Sequence, residues 1–323
     1  MEIKRYFAML LGFLAVAGGH AQPSAEPLTS VPLLLIVGGP PGTPGDLLAR
    51  TISGPLAAEL SQPVVVENRP GAAGTVALAS LVRARPDGNI LGTLALQSAA
   101  APALVRTLPY DPLRDLAPVR QLTTVANLLV VHADSPMRSI ADVLAAAHAG
   151  TLAYASGGNG TPAHLAAELF AQEGGVRLQH VPFNGPVAGL AALAGGHVQL
   201  MFATAPAAAP LLQSGKVRAL ATTSPVRLPG HPDVPTLAES GLAGATVRDW
   251  HGLVAPAGTP GVRVEQVAAA LARVLAQDSV RQRLTGAGME PVVTSGPAEF
   301  RDWTAAEMER WRAVIRRAGI SMQ

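Results

Sequence analysis

The sequence repeats one strand–loop–helix unit whose loop ends in Gly-Thr-Pro. The first copy follows the apolar run "LLLIVGG" (33–39) and reads "GTPGDLLAR" (42–50). The second follows "TLAYASGG" (151–158) and reads "GTPAHLAAE" (160–168). Thr suits the N-cap of a helix, and Pro suits its first position because the missing N–H would be unpaired there anyway. A further apolar strand comes after each helix. Two such βαβ units predict parallel strand pairing and an α/β fold.

The two loops carry more glycine than helix capping requires. A third Gly-Thr-Pro, at 258–260, opens another helix without the extra glycines, and capping alone explains it. The first turn of a helix has unpaired N–H groups and about half a positive charge, which favours a carboxylate or phosphate. The loops therefore predict an anion cradle at two helix N-termini that face each other across a cleft. Glycines that only relieve loop strain are the alternative.

The first loop resembles a nucleotide-binding P-loop but lacks its chemistry. A P-loop needs Lys followed by Ser or Thr, and here those positions are Gly45 and Asp46. Pro44 has no N–H to offer a phosphate. Nucleotide hydrolysis is excluded.

The first 21 residues predict a secretory signal peptide with cleavage after Ala21. Lys4 and Arg5 precede the apolar core "FAMLLGFLAVA", which is too short to span a bilayer. The sequence contains no cysteine, which excludes both a lipid anchor at the cleavage point and disulfides. We therefore expect a soluble periplasmic protein.

The remaining chain, 22–323, is long enough for about two domains of roughly 150 residues each. Without Glu2, Lys4 and Arg5, the 24 basic and 22 acidic residues become 22 and 21, a net charge near +1. This balance, with no block rich in Lys or Arg, argues against nucleic acid as a partner. A C-terminal stretch with aromatic residues at helical spacing, including Phe300, Trp303 and Trp311, predicts an amphipathic helix packed on a sheet.

Candidate metal and catalytic residues are sparse. His164 and Glu168 are four residues apart on one predicted helix, but no third ligand has suitable spacing, so we expect no metal site and no cofactor. His164 is better interpreted as a ligand-facing or loop-bracing donor. Ser156 lacks the Gly-x-Ser-x-Gly elbow of hydrolases because Ala155 and Gly157 flank it. A dispersed Ser/His/Asp triad, which only geometry reveals, is left as an alternative.

Ordered motifs along the whole mature chain carry a specific family resemblance. After the Pro-Pro-Gly loop they are "QPVVVENRPGAAG" (62–74), "LPYDPLRDLAPV" (108–119), "YASGGNGTPAHLAAELF" (154–170), "HVPFNGP" (180–186), "GGHVQLMF" (195–202), "PDVPTLAESGL" (232–242) and "WHGLVAPAGTP" (250–260). In this order they resemble the Bordetella uptake gene (Bug) family, the solute-binding receptors of tripartite tricarboxylate transporters.

The resemblance implies a fold and a function. The fold is a two-lobed α/β periplasmic binding protein of type II, which closes like a flytrap on a ligand in the interlobe cleft. Lobe 1 would be 22–121 plus 251–323, and lobe 2 would be 122–250. The protein would be a monomeric receptor, not an enzyme, that presents a small organic carboxylate to membrane permease subunits. The first alternative function is a sensor of the same fold that acts on a sensor kinase. The second is an exported hydrolase.

The resemblance also implies the ligand-binding residues. The family holds a ligand carboxylate mainly through backbone groups and bridging waters from the two glycine-rich loops. Carried over to this sequence, the predicted contacts are Gly39, Pro40, Gly42, Thr43, Asp46, Ser156, Gly158, Asn159, Gly160, Thr161, His164, Asn184 and Ala203.

The chain departs from the family's pattern at several of these positions. Gly38 and Gly39 replace Pro-Phe, Thr43 replaces Gly, Gly45 replaces Ser or Thr, Asn184 replaces Lys or Arg, and Ala203 replaces Asp. Loss of that Asp removes an acceptor for an ammonium group, which makes an amino-acid ligand less expected. The smaller side chains predict a roomier, less polar pocket for an aromatic or branched carboxylate.

Overall fold

The computed structural model describes residues 31–105 and 107–319. The predicted signal peptide lies outside the described residues. Within the described part, no helix combines the length and the apolar character needed to cross a membrane.

Helices and strands alternate along the chain. In the N-terminal part they are β1 (Leu33–Val37), α1 (Pro44–Leu60), β2 (Val64–Asn68), α2 (Thr75–Val82), β3 (Ile90–Ala95) and α3 (Leu96–Leu104). The middle part contains β4 (Leu116–His132), α4 (Ile140–Ala149), β5 (Leu152–Ser156), α5 (Pro162–Gly174), β6 (Leu178–Pro182), α6 (Pro186–Ala194), β7 (Leu200–Thr204), α7 (Ala205–Gln213) and β8 (Val217–Thr222). The chain ends with β9 (Arg248–Pro256), α8 (Gly261–Ala276), α9 (Asp278–Gly286), β10 (Met289–Pro291) and α10 (Pro297–Ala318).

The strands form one continuous, curled sheet built from two parallel units. Its order is β2-β1-β3-β9-β4-β7-β5-β6, and β8 and β10 also pair with β4. β1 lies parallel to β2 and β3, and β5 lies parallel to β6 and β7, as the repeated βαβ pattern predicted. The α/β class and the two-lobed architecture are confirmed.

Strands β4 and β9 connect the two parallel units. β4 pairs with β9 from Leu116 to Ala126, and with β7 and β8 from Asn127 onward. The pairing partner of β4 therefore changes between Ala126 and Asn127, and β9 returns the chain at Arg248. The predicted lobe limits, 22–121 plus 251–323 and 122–250, lie a few residues from these points and stay a prediction.

Helix α10 packs across the junction of the lobes. Glu307, which is buried, accepts the indole N–H of Trp250 at 3.0 Å and that of Trp311 at 3.1 Å. On the other lobe, Gln172 Nε2 of α5 donates to the carbonyl of Val314 at 3.0 Å. The predicted amphipathic helix is present, and its apolar face contributes to a hydrophobic cluster that reaches residues of both lobes.

Gly252 on β9 leaves room for Phe300 of α10. A Cβ atom at this position would lie 2.6 Å from Phe300 Cε1 and 2.7 Å from the carbonyl oxygen of Arg120. These contacts are too close for a methyl group, so a side chain here requires α10 or β4 to move.

We predict that Gly252→Ala lowers the free energy of unfolding by about 1–3 kcal/mol, because overpacking a filled core strains its neighbours. Gly286→Ala is the matched control, since nothing lies within 4 Å of a Cβ at that helical position and no proline follows it. It is expected to stabilise by about 0.5–1 kcal/mol. Urea unfolding measures both, and equal effects of the two substitutions would contradict the packing argument.

Candidate functional site

A cavity of about 510 Å³ lies between the two lobes. It is lined where the parallel strands end, by residues in or just after the last positions of β1, β3, β5, β6 and β7 and by the turn that follows β2. Asn127 of β4 and Asp249 and His251 of β9 complete the lining. In α/β sheets, ligands bind outside the carboxyl ends of the strands, so this position identifies the cavity as the candidate binding site.

Six of the described helices begin at the wall of this cavity. Their N-cap residues all line it: Thr43 (α1), Gly74 (α2), Ala95 (α3), Thr161 (α5), Gly185 (α6) and Thr204 (α7). None of these six helices has a side-chain hydrogen bond that caps its first turn. Except for the Thr75 N–H of α2, which donates to the carbonyl of Ala72, the N–H groups of their first turns and the positive ends of their dipoles therefore remain available to an anion.

The two Thr residues of the Gly-Thr-Pro loops hold the loops rather than the helices. Thr43 and Thr161 occupy the N-cap positions, as predicted, but their hydroxyl groups point back into the loops. Thr43 Oγ1 donates to the carbonyl of Pro40 at 2.7 Å, and Thr161 Oγ1 donates to that of Gly158 at 2.7 Å. Each loop is thus closed on itself, and the helix N–H groups are left unpaired.

A side chain three residues after each N-cap braces the loop from behind. Asp46 Oδ2 accepts the N–H of Gly42 at 2.9 Å, and His164 Nδ1 accepts the N–H of Gly160 at 3.0 Å. The two contacts occupy equivalent positions in the two lobes. His164 therefore braces the loop as an acceptor, and its contact with a ligand stays a prediction.

Asp46 is held as a carboxylate under the first loop. Asn68 Nδ2 and Arg50 Nε each donate to its Oδ1 at 2.9 Å. Burial opposes ionisation, but the hydrogen bonds from Gly42 and Asn68 and the charge of Arg50 outweigh it and hold the pKa of Asp46 below its usual value.

His164 stacks on His180 under the second loop, with ring centroids 4.1 Å apart. Burial lowers the pKa of His164 to about 4, and the nearby His180 adds to the effect. Burial also lowers the pKa of His180 to about 4. Both rings are therefore neutral at pH 7. His180 Nε2 lies 2.6 Å from Ser156 Oγ, whose oxygen also accepts the N–H of Gly158 at 3.0 Å.

This cluster has neither metal-site nor triad geometry. His164 Nε2 lies 3.9 Å from Glu168 Oε1, but no group of three His, Cys, Asp or Glu that could hold a metal occurs among the described residues. Glu168 accepts the hydroxyl of Tyr154 at 2.6 Å, and no hydrogen bond joins it to His180. Ser156 is fully buried and does not line the cavity.

The structure divides the predicted ligand-binding residues into two groups. Those that line the cavity are Gly39, Pro40, Thr43, Thr161, Asn184 and Ala203. Those that do not are Gly42, Asp46, Ser156, Gly158, Asn159, Gly160 and His164. For the second group, direct contact with the ligand stays a prediction. Its members form the outer part of the loops or brace them from behind, because only one side of each loop faces the cleft.

The junction of β3 and α3 is a part of the site that the sequence analysis missed. Thr93, Ala95, Gln97 and Ser98 line the cavity there. They follow the same rule as the glycine-rich loops, since they lie where a parallel strand ends and a helix begins. That positional rule, applied to every predicted strand, is the signal that could have found them.

A second missed segment is the turn from Pro70 to Gly74. Its residues 71–74 all have positive φ, including Ala72 at 45° and Ala73 at 52°. Positive φ at two consecutive alanines is rare, and such backbone strain is concentrated at functional sites. The turn packs closely on the first loop, because a Cβ on Gly38 would lie 2.9 Å from Gly74 Cα.

The described lining of the cavity contains few ionisable side chains. Among the described residues that line it, none is Lys or Arg, and the ionisable side chains are Asp249 and His251. Burial raises the pKa of Asp249, although the charge of His251 and the N–H of Trp250, which donates at 2.8 Å, oppose the rise. An anion in this cavity therefore meets helix N-termini rather than basic side chains.

Comparison with known proteins identifies the family. The family model described as "Tripartite tricarboxylate transporter family receptor" matches residues 48–320. Protein BugT of Bordetella pertussis is 32% identical over 330 aligned residues, which cover 100% of both chains. A protein encoded in the tcbD–tcbE intergenic region of Pseudomonas sp. strain P51 is 35% identical, covering 88% of this chain and 86% of its own.

Solved structures of similar proteins share the fold. The periplasmic binding protein BugD superposes with a TM-score of 0.82 at 29% identity, over 90% of this chain and 99% of its own. MatC from Rhodopseudomonas palustris, solved with bound malate, superposes with a TM-score of 0.81 at 35% identity, over 88% of this chain and 98% of its own. R. palustris Rpa4515, solved with adipate, superposes with a TM-score of 0.82 at 34% identity, over 90% of this chain and 98% of its own. The chain belongs to the tripartite tricarboxylate transporter receptor family, the family of periplasmic solute-binding proteins that includes the Bug proteins.

Proposed function

We propose that this protein captures a small organic carboxylate between its two lobes and delivers it to a membrane permease. The observation that carries the proposal is the convergence of six helix N-termini on a cavity whose described lining contains no Lys or Arg. The bound malate of MatC and the bound adipate of Rpa4515 support a carboxylate as the ligand class.

The carboxylate is held by backbone N–H groups of both lobes. α1 and α5 each begin with proline, which has no N–H, so the first available donors are the N–H groups of Gly45 and Ala163. Both residues line the cavity. A carboxylate between them receives one donor from each lobe, and binding therefore draws the lobes together.

The hinge for this closure lies where β4 and β9 pass between the lobes. We place it at Ala126 and Asn127 in β4 and near Arg248 in β9, which refines the expected lobes 22–121 plus 251–323 and 122–250. Two strands that cross between lobes are suited to a hinge, because few residues have to change their backbone angles.

The proposal includes export of the protein to the periplasm and a partner in the membrane. The signal peptide predicted at 1–21 would deliver the chain to the periplasm, where family members such as BugD act as binding proteins. A sensor that reports the same ligand to a sensor kinase is the alternative. Hydrolase chemistry is disfavoured, because Ser156 is buried outside the cavity.

We predict that at least one class among mono-, di- and tricarboxylates, amino acids and aromatic acids raises the unfolding temperature of the purified protein. The protein is first unfolded and refolded to remove carried-over ligand. Ligand at 100 times its Kd adds about 2.7 kcal/mol of stability. Thermal unfolding by circular dichroism measures the shift, and no shift with any carboxylate would refute the proposed function.

We predict that Gly38→Ala weakens carboxylate binding by about tenfold or more. The new methyl group has to separate the first loop from the turn at Gly74, and a displacement of this size at a preorganised site removes donors from the ligand. Calorimetric titration measures the Kd. Gly54→Ala, a helical position away from the cavity, is the control and is expected to leave the Kd unchanged.

We predict that, as the pH is lowered, the second loop loses stability at a higher pH than the first loop does. The reason is that His164 and His180 are neutral in the folded protein. Their pKa values are about 4, below the unfolded value of about 6.5. Their contribution to stability is therefore complete above about pH 6.5 and is lost as the pH falls toward 4.

Unfolding temperatures between about pH 7.5 and pH 5 test this, since unfolded histidines take up protons over that range. His180→Phe keeps a stacked ring that cannot titrate, and it is expected to flatten the decline. His148→Asn, at an exposed position on α4, is the control and is expected to retain the wild-type slope. Equal slopes for wild type and His180→Phe would contradict the assignment.

A further inference from the structure

We propose that Asp249, His251 and Asn127 form a second recognition pole in the cavity, which binds an uncharged hydrogen-bonding group of the ligand. The ligand class is then a monocarboxylic acid that bears a hydroxyl or keto group, rather than a dicarboxylate or an amino acid. The inference rests on the proposed function, because it requires a carboxylate at the helix N-termini.

The three side chains come from the strands that join the lobes. Asn127 stands where β4 changes its pairing partner, opposite Thr204 of β7. Asp249 pairs with Val125, two residues before Asn127 on the same strand. Asp249 and His251 are two residues apart on β9, so their side chains point to the same side of the strand. All three residues line the cavity.

The pole contains polar atoms that are buried and unpaired. Asn127 is 1% exposed and His251 is 5% exposed. Neither Asn127 Nδ2 nor His251 Nδ1 has a hydrogen-bond partner within the described chain. A buried polar atom without a partner is unfavourable and rare in folded proteins. Both atoms are enclosed by the protein and do not reach the cavity surface, so a ligand meets Asn127 and His251 through the other atoms of these side chains, which line the cavity.

Asp249 adds a group that both accepts and donates. It is 3% exposed, and its Oδ1 accepts the N–H of Trp250 at 2.8 Å. Burial raises its pKa and the charge of Glu307 adds to the rise, whereas the charge of His251 and the Trp250 N–H oppose it. A carboxylate at Asp249 accepts from a hydroxyl, and a carboxylic acid donates to a hydroxyl or keto oxygen. A neutral ligand group thus finds a partner in either state.

Charge favours a neutral group over both alternatives. A second carboxylate at this pole would lie beside Asp249, and no Lys or Arg among the described lining residues would compensate the repulsion. An ammonium group would pair with Asp249 but would share the cavity with the positive ends of six helices. A hydroxyl or keto group avoids both penalties.

The test compares acids that share a carbon chain and differ at one group. Hexanoate, 6-hydroxyhexanoate and adipate form one set; butanoate, 3-hydroxybutanoate and succinate form a second; valine, 2-oxoisovalerate and isovalerate form a third. Calorimetric titrations of the refolded protein at about pH 7.5 give the Kd values. In at least one set, the hydroxy or oxo acid is expected to bind about tenfold or more tightly than the other two, as a hydrogen bond to a buried polar group suggests.

Variants separate the pole from the carboxylate cradle. Asp249→Leu is expected to abolish the preference for the hydroxy or oxo acid while the unsubstituted acid still binds. Asp249→Asn is expected to keep the preference for the hydroxy or oxo acid over the unsubstituted acid and to improve dicarboxylate binding about tenfold, because it removes the charge but retains a hydrogen-bonding group. Asp302→Asn, at an exposed position on α10, is the charge-matched control and is expected to change none of the ratios.

Each outcome decides the inference separately from the proposed function. Tighter binding of a dicarboxylate or an amino acid by the wild type would overturn the second pole and leave the carboxylate receptor standing. An unchanged preference in Asp249→Leu would overturn it as well; if that variant does not fold, unchanged ratios in both Asp249→Asn and His251→Gln decide the same question. No binding of any acid in the three sets or in the wider panel would overturn the proposed function together with the inference.

Discussion

The unpaired N–H groups at the start of the helices around the cavity are the constraint on which this structure depends. A helix that begins at a buried wall leaves donors without partners, and a protein normally satisfies them with a capping side chain. Here the Thr hydroxyls that could do so, on Thr43 and Thr161, are turned into their own loops. The sheet then places six such helix starts around one cavity. The proposed capture of an anion and the role of the glycine-rich loops both depend on that arrangement.

The two lobes solve one structural problem with different chemistry. In lobe 1 the brace behind the loop is Asp46, supported by Arg50 one helical turn later. In lobe 2 the equivalent positions are His164 and Glu168, so the order of acid and base is reversed. Both arrangements supply an acceptor to a glycine N–H at the same point in the loop. The geometry of the loop is common to the lobes, whereas the side chain that supports it is not.

Local patterns could be predicted from the sequence, and contacts between distant strands could not. Gly-Thr-Pro after an apolar run indicated β1, α1, β5 and α5 because capping and glycine preferences act within a few residues. Asp249 and His251 sit in a strand whose chemistry depends on Asn127, more than a hundred residues earlier, and no local signal joins them. A motif does not indicate which side of a loop faces the cleft, so it could not show that Asp46 and His164 brace the loops from behind. The predicted loss of polarity at Ala203 is offset by polar residues from β3 and β9.

The proposed grip of main-chain groups on the ligand has an evolutionary consequence. Every amino acid except proline supplies the same N–H, so most substitutions in the cavity wall leave the hold on a carboxylate intact. Positions such as Ala203 and Asn184 can then change without loss of the basic affinity, and each change alters which tail the cavity accepts. After gene duplication, a receptor can therefore change its ligand by single substitutions, and every intermediate protein still binds an acid. The fold thus separates the part of recognition that must persist from the part that is free to diverge.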